Sequence, residues 1–354
     1  MKTTTPTWPG RLLTLAALAF LSATTVPTLA QDDETVDKTP KIGGTLRSKY
    51  EWQTEEGESR FEVRTARINV SGRLSKVVAY KAEVDLCDEG QIKMLDAYTR
   101  LTPWRTLQLT IGQERVPFTI DAHRSPHQQY FANRSFIAKQ VGNVRDVGAE
   151  LGYTWNVGFP IVVNAGVFNG SGLTNQKDFW TNSINFSAKA QFLMPNVNLV
   201  LSAQKVKPSD VTVMMYDAGL TFHRGPFLAE AEYLYKHYAD GAFHPVHAVD
   251  AFMNYDIALR SKLFRKISPL VRYDYMSDHS DGKRYSVEVD GETQNVLKVN
   301  DHRRSRVTGG FTLSLCKPFT ADIRVNYEKY FYSKGVEPKT SERDKFVIEF
   351  VTHF

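Results

Sequence analysis

The fold class predicted by the sequence is all-β: a transmembrane antiparallel β-barrel of about 16 strands, with the third long loop folded into the lumen. Three observations predict it. Apolar and polar residues alternate with period 2 in short runs along the chain. The connections between runs alternate between tight turns and longer loops. The chain ends on an aromatic stripe closing at Phe354.

The first segment stands outside that fold. Lys2 and Arg11 supply a positive start, Leu12 to Val26 is almost entirely apolar or small, and Thr28-Leu29-Ala30 offers a cleavage site. The apolar run is shorter than the roughly 20 residues a spanning helix needs, so residues 1–30 are expected to be a signal peptide. Residues 31–41 (QDDETVDKTPK) are charged and aperiodic, which predicts a solvated leader. The barrel is then expected over 42–354.

No later run is apolar enough to span as a helix, but a barrel strand needs only about 9–11 residues and turns only alternate ones to lipid. In FTADIRVNY, Phe319, Ala321, Ile323, Val325 and Tyr327 share one face while Thr320, Asp322, Arg324 and Asn326 share the other. Ile184, Phe186, Ala188, Ala190 and Phe192 alternate in the same way with Asn185, Ser187, Lys189 and Gln191, as do Phe227 to Tyr235 with Glu230, Glu232 and Lys236. Alternation alone also suits a soluble sandwich. The number of runs favours a barrel: they begin near Ile42, Arg60, Lys76, Ile92, Trp104, Arg145, Phe159, Asn182, Asn196, Val211, Pro226, Val246, Ser268, His302, Phe319 and Lys345. Between them LTPW, WNVG, LMPN, HRGP, FRK and CKPF are predicted as the tight turns of one rim. In the final FVIEFVTHF, Phe350 and Phe354 are expected to form the signal read by outer-membrane insertion machinery. Aromatic pairs such as Tyr153 and Trp155, or Tyr273 and Tyr275, suit the interfacial girdles.

Charge excludes some partners. The chain carries 44 basic and 39 acidic residues, and removal of Lys2 and Arg11 leaves 42 against 39, too balanced for nucleic acid. Cys87 and Cys316 are expected at opposite rims and therefore unpaired.

The segments RFEVRTARINVSG, MLDAYTRL, LQLTIGQERVPFTID, YFANRSFI and VRDVGAELGY together resemble the phosphate-selective porin O and P family, most strongly from Lys41 to Tyr153. That resemblance implies a 16-strand homotrimeric barrel with a loop folded into the pore. The expected role is passive diffusion of small hydrophilic solutes across the bacterial outer membrane, with an anion bias and phosphate among the candidates. The expected partners are those solutes, outer-membrane lipid and the insertion machinery; no cofactor, metal or nucleic acid is expected.

The largest loop, 115–144, contains Arg115, Arg124, Arg134 and Lys139, with Arg145 at its edge, and Asp121 as its only acid. Such an excess in a partly desolvated passage would concentrate anions. The alternative is that the arginines clamp the loop to wall acids such as Glu83, Asp96, Asp146 or Glu150; Arg115 and Arg145 suit clamping best, Arg124 and Arg134 solute contact. On the wall, Arg67, Lys81, Arg100, Lys189, Lys236, Arg260, Arg272 and Arg324 are expected to face the lumen. So are Asp85, Glu230, Glu232, Asp256, Asp274 and Glu328, giving mixed sign without a continuous basic ladder. His123 with His127, and His244 with His247, lack a third metal ligand. Gly112, Gly142, Gly148 and Gly152, at the loop's roots, suit close backbone approach. Two other roles fit the pattern less well: a rim hydrolase using His123 with Ser125 or His247 with Asp250, and a blocked structural or adhesive barrel.

Overall fold

The computed structural model describes residues 36–88, 90–140, 144–170, 178–289, 292–317 and 321–354. The predicted signal peptide, most of the leader, Gly142 and Phe319 lie outside these residues.

Alternating residues build a single antiparallel wall. Its strands are β1 (Lys41–Gln53), β2 (Ser59–Arg73), β3 (Val78–Asp88), β4 (Gln91–Trp104), β5 (Leu107–Arg115), β6 (Arg145–Asn156), β7 (Pro160–Phe168), β8 (Asn185–Met194), β9 (Val197–Val206), β10 (Val213–Arg224), β11 (Phe227–Tyr238), β12 (Val246–Tyr255), β13 (Ile257–Ala258), β14 (Phe264–Met276), β17 (Arg304–Leu315), β18 (Ala321–Tyr332) and β19 (Lys345–His353). β12 and the short β13 both pair with β14 and form one wall position interrupted at Asp256, so the wall has 16 positions. β15 (Arg284–Val289) and β16 (Glu292–Leu297) form a separate hairpin in the loop between β14 and β17. The first strand pairs with the last, from Thr45 opposite His353 to Gln53 opposite Lys345, and the sheet is a closed ring. Closure removes every edge, the condition under which strands can span lipid.

The last strand shows how residue type sets orientation. Phe346, Ile348 and Phe350 point outward and are exposed, whereas Lys345, Val347, Glu349 and Val351 point inward and are buried. In lipid the outward set is the stable choice and the charged set belongs in the lumen.

Several boundaries differ from the sequence reading. LTPW closes β4 rather than forming the turn, which falls after Trp104, and FRK opens β14, so the turn before it lies at 259–263. The strand predicted from Ser268 therefore starts at Phe264. The β3–β4 connection is tight, with Asp88 opposite Gln91, although its rim otherwise carries the longer loops. Cys87 and Cys316 end strands at opposite rims and are both free.

The lumen is not uniformly polar. Val213, Met215, Leu234, Val246, Ala248 and Met276 turn apolar side chains inward from β10, β11, β12 and β14. They pack against Phe118, Phe136, Ile137 and Ala138 of the long loop between β5 and β6. Burying those side chains on an inner-wall patch supplies the loop's hydrophobic anchor.

Candidate functional site

The site is the lumen around that loop, residues 116–144. Its fold begins with Asp121, whose carboxylate accepts the Ser135 amide and hydroxyl at 3.1 and 2.9 Å. Ser135 in turn caps the short helix α1 (Phe136–Gln140), accepting the Ala138 amide at 3.2 Å. One acid thus ties the loop's descending arm to its helix.

From its root between β5 and β6 the loop reaches strands on the far side of the ring. Lys189 of β8 donates to the Thr119 carbonyl at 3.1 Å, and Ser187 to that of Pro117 at 2.8 Å. Arg272 of β14 donates to the Asn133 carbonyl at 3.0 Å and lies over Phe131, 4.4 Å from the ring centroid. Arg306 of β17 donates to the Arg134 carbonyl at 2.7 Å, and Asn326 of β18 accepts the Ala132 amide at 2.9 Å. Arg47 of β1 donates to Gln129 and to the Ala132 carbonyl at 2.9 and 2.7 Å. Arg324 of β18 holds the carbonyls of Pro126 and His127, and the His127 ring stacks on His353. Among the described residues no hydrogen bond or ion pair joins the loop to β2, β3 or β4.

The predicted site residues divide into distinct roles. Arg145 clamps, 2.7 Å from Asp96 and 3.6 Å from Glu83. Arg115 also clamps, but its partners are carbonyls of its own loop, at Ala122, His123 and Arg124. Arg124, expected to meet solute, is instead paired with Glu230 on β11 and lies over Tyr130 and Phe252. Burial opposes its charge, yet the Glu230 carboxylate outweighs that and raises the guanidinium above its usual range. Sequence spacing could not reveal this pairing, because Arg124 and Glu230 are joined only by the loop's path across the ring.

Arg134 differs. It donates to the carbonyls of Asp121, Ala122 and Arg124, and no carboxylate lies within ion-pair distance among the described residues. Burial, reinforced by Arg67, Arg47 and Arg145 and opposed by Asp121, lowers its guanidinium to about 10. That drop marks uncompensated positive charge. Lys139, on α1, is exposed.

On the uncovered wall the cations stand forward of their acids. Lys81 is 2.6 Å from Glu83 and 2.7 Å from Asp96, yet its side chain is 26% exposed and theirs 9% and 6%. Arg100 is 34% exposed against 6% for Glu114, and Arg67 13% against 1% for Asp85. By register these cations descend towards the short-turn rim: Arg67 lies opposite Asp85, Lys81 opposite Ser71, and Arg100 opposite Ala79. The sequence balance of signs is therefore a poor guide to the surface that water meets. Lys189, Arg272 and Arg324 do face inward, but all three are buried and committed to the loop. Arg260 lies in the exposed turn after β13 rather than on the lumen wall.

The histidines do not assemble a second site. His123 bonds the Val116 carbonyl, and burial with Lys189 and Arg115 nearby holds it well below the usual imidazole range. His247 points outward and bonds the Tyr233 hydroxyl at 2.8 Å, while Asp250 on the same strand is buried on the inner face. A His247–Asp250 hydrolase pair is thus excluded by the strand's alternation. Among the described residues no group of three or more metal-ligating side chains occurs.

A closed 16-position antiparallel ring, apolar outside and charged within, with one long loop tied across its lumen, defines a porin-type channel of the bacterial outer membrane. The family model for phosphate-selective porin O and P matches residues 45–179. Among solved structures the chain is similar to an anion-selective porin from Comamonas acidovorans, at 10% identity and a TM-score of 0.60, covering 90% of this chain and 100% of that one. It is also similar to OprB of Pseudomonas putida, at 10% identity and 0.62 over 90% and 95% of the two chains. For OmpT of Vibrio cholerae, in its trimer form, the values are 12% and 0.58 over 89% and 99%. No curated protein matches the chain in sequence.

Proposed function

We propose that the chain is a passive diffusion channel for small hydrophilic solutes that prefers anions, phosphate among them. The observation that carries the preference is the forward placement of Arg67, Lys81 and Arg100 on β2–β4, across from Arg134 on the loop. Because the loop makes no bonds to that wall among the described residues, the passage runs between the two. Acids set behind cations leave a positive potential at the water interface, where a low-dielectric wall amplifies it. Arg115, Arg145 and Arg124 act as clamps that hold the loop in place. Lys139 adds charge at the helix end.

The remaining assignments follow from the same architecture. Residues 1–30 direct export and are removed, and residues 31–41 form the leader of the mature barrel. The subunits assemble as a homotrimer in outer-membrane lipid, and Phe350 and Phe354 guide insertion.

Purified protein in planar bilayers tests the proposal. Stepwise conductance is expected, with a zero-current potential in a potassium chloride gradient that reports chloride as the more permeant ion, and with phosphate competing for the current. A folded sample that does not conduct would overturn the channel reading, and a cation-selective potential would overturn the preference.

A further inference from the structure

The loop's descending arm contains an unusual bend. Thr119 adopts φ 57°, a left-handed conformation that a β-branched residue rarely takes and that persists only where its surroundings enforce it. The enforcing groups all come from the wall. The Thr119 amide donates to Ser202 Oγ at 3.1 Å, its carbonyl accepts from Lys189 Nζ at 3.1 Å, and the next amide, of Ile120, donates to Glu232 Oε1. Ser202 Oγ in turn donates to Asp217 Oδ1 at 3.1 Å.

Asp217 and Glu232 meet behind the bend, their side chains in hydrogen-bonding contact with each other. Both residues are buried, and Asp217 Oδ2 and Glu232 Oε2 receive no bond from any other donor. Ionised carboxylates are acceptors only, so this contact requires one proton held between the two groups. The surroundings disfavour a second negative charge. Glu230 on β11 is already paired with Arg124, Asp250 on β12 lies 3.8 Å from Arg272 of β14, and Asp121 faces the pair from the loop. Lys189 on β8 is the nearby cation that acts on both acids, with Glu150 of β6 also acting on it, while the loop's His123 stays neutral.

We propose that Asp217 and Glu232 are positioning residues whose single shared proton holds the bend at Thr119. Loss of that proton at alkaline pH then frees the arm at 117–121 and changes the passage. The proposal rests on the reading of the barrel as a channel. The sign follows from linkage: a proton kept by the folded pair but released by ordinary carboxylates of the unfolded chain stabilises the arm at low pH, and that stability is lost as pH rises.

Two measurements test it. Single-channel recordings from about pH 5 to about pH 10, a range that spans documented values for buried carboxyls, are expected to show a steady open level that becomes noisy or changes in size above a threshold pH. Asp217→Asn and Glu232→Gln are each expected to conduct and to lose that pH step, since an amide supplies the bridging hydrogen permanently. A step that persists in both variants overturns the proposal. Infrared spectra of the wild-type protein at neutral pH should show a protonated carboxylic acid that Asp217→Asn removes; should the variants not fold, absence of this band from the wild type still overturns it. A folded protein that shows the band but never conducts refutes the channel reading while supporting the shared proton.

Discussion

Arg306 and Asp274 form an ion pair at 2.6 Å in which neither side chain has any exposed surface. The same guanidinium also contacts Glu328 at 3.3 Å and the Arg134 carbonyl at 2.7 Å, and it lies over Phe136 and Tyr330. Wall and loop are therefore held by one buried cation. Arg306→Met would leave Asp274 buried without its closest cation, and breaking such a pair costs about 3–5 kcal/mol. Urea unfolding of the detergent-folded barrel should show a loss of that order together with a noisier open current. A loss under about 1 kcal/mol, the range of surface pairs, would show that Arg306 is not the tie.

Arg124 and Arg134 look equivalent in the sequence but have opposite surroundings, one facing Glu230 and the other facing only carbonyls. Arg134→Ala is expected to move the zero-current potential towards cations. Arg124→Ala should leave the preference nearly unchanged and act on the loop's stability instead, because it removes a charge already neutralised by its partner. Equal shifts in the two variants would show that pairing does not govern selectivity.

Lys81 and Arg100 are the exposed partners of buried acids, so neutralising either one should uncover negative charge rather than merely delete positive charge. Lys81→Gln with Arg100→Gln is expected to reduce chloride preference strongly in dilute salt. The effect should fade near 1 M salt, where screening acts over about 3 Å. Selectivity in the double variant that is unchanged at low ionic strength would place the determinant elsewhere in the lumen.

How much of this was legible beforehand depends on the distance over which each feature is encoded. Strand positions such as β19 follow from local alternation of Phe346, Ile348 and Phe350 with charged neighbours, and closure follows from the even number of such runs. The loop was visible as a basic stretch with one acid. Its anchoring was not, since Arg124 to Glu230 and Arg306 to the Arg134 carbonyl join residues far apart in the chain. The apolar inner patch was hidden for another reason: in β10, Val213 and Met215 face inward while Met214 and Tyr216 face outward, so both faces are apolar there and the pattern carries no sign of which is which. Nor does the sequence say which member of a pair stands forward, as Lys81 does before Asp96.

The seam of the ring makes the last prediction. Gly44 and Phe354 exchange backbone hydrogen bonds, 3.0 Å from the Gly44 amide and 3.2 Å from the Phe354 amide. A Cβ at Gly44 would lie 2.7 Å from the Arg67 carbonyl and 2.5 Å from the Phe354 ring. The ring could rotate away, but the carbonyl belongs to the β1–β2 ladder and cannot yield without disturbing it. Gly44→Ala should therefore lower the yield of closed barrel, measured as the fraction that resists unfolding in detergent without heating. Deletion of Phe354 should lower it too, through loss of the paired terminal backbone. Phe354→Leu keeps that backbone and a large apolar side chain, so it should fold in vitro as the wild type does while inserting less well in cells if the aromatic ring is what the insertion machinery reads. Normal insertion of Phe354→Leu would show that closing the seam, and not recognition of the ring, is what the terminal residue contributes.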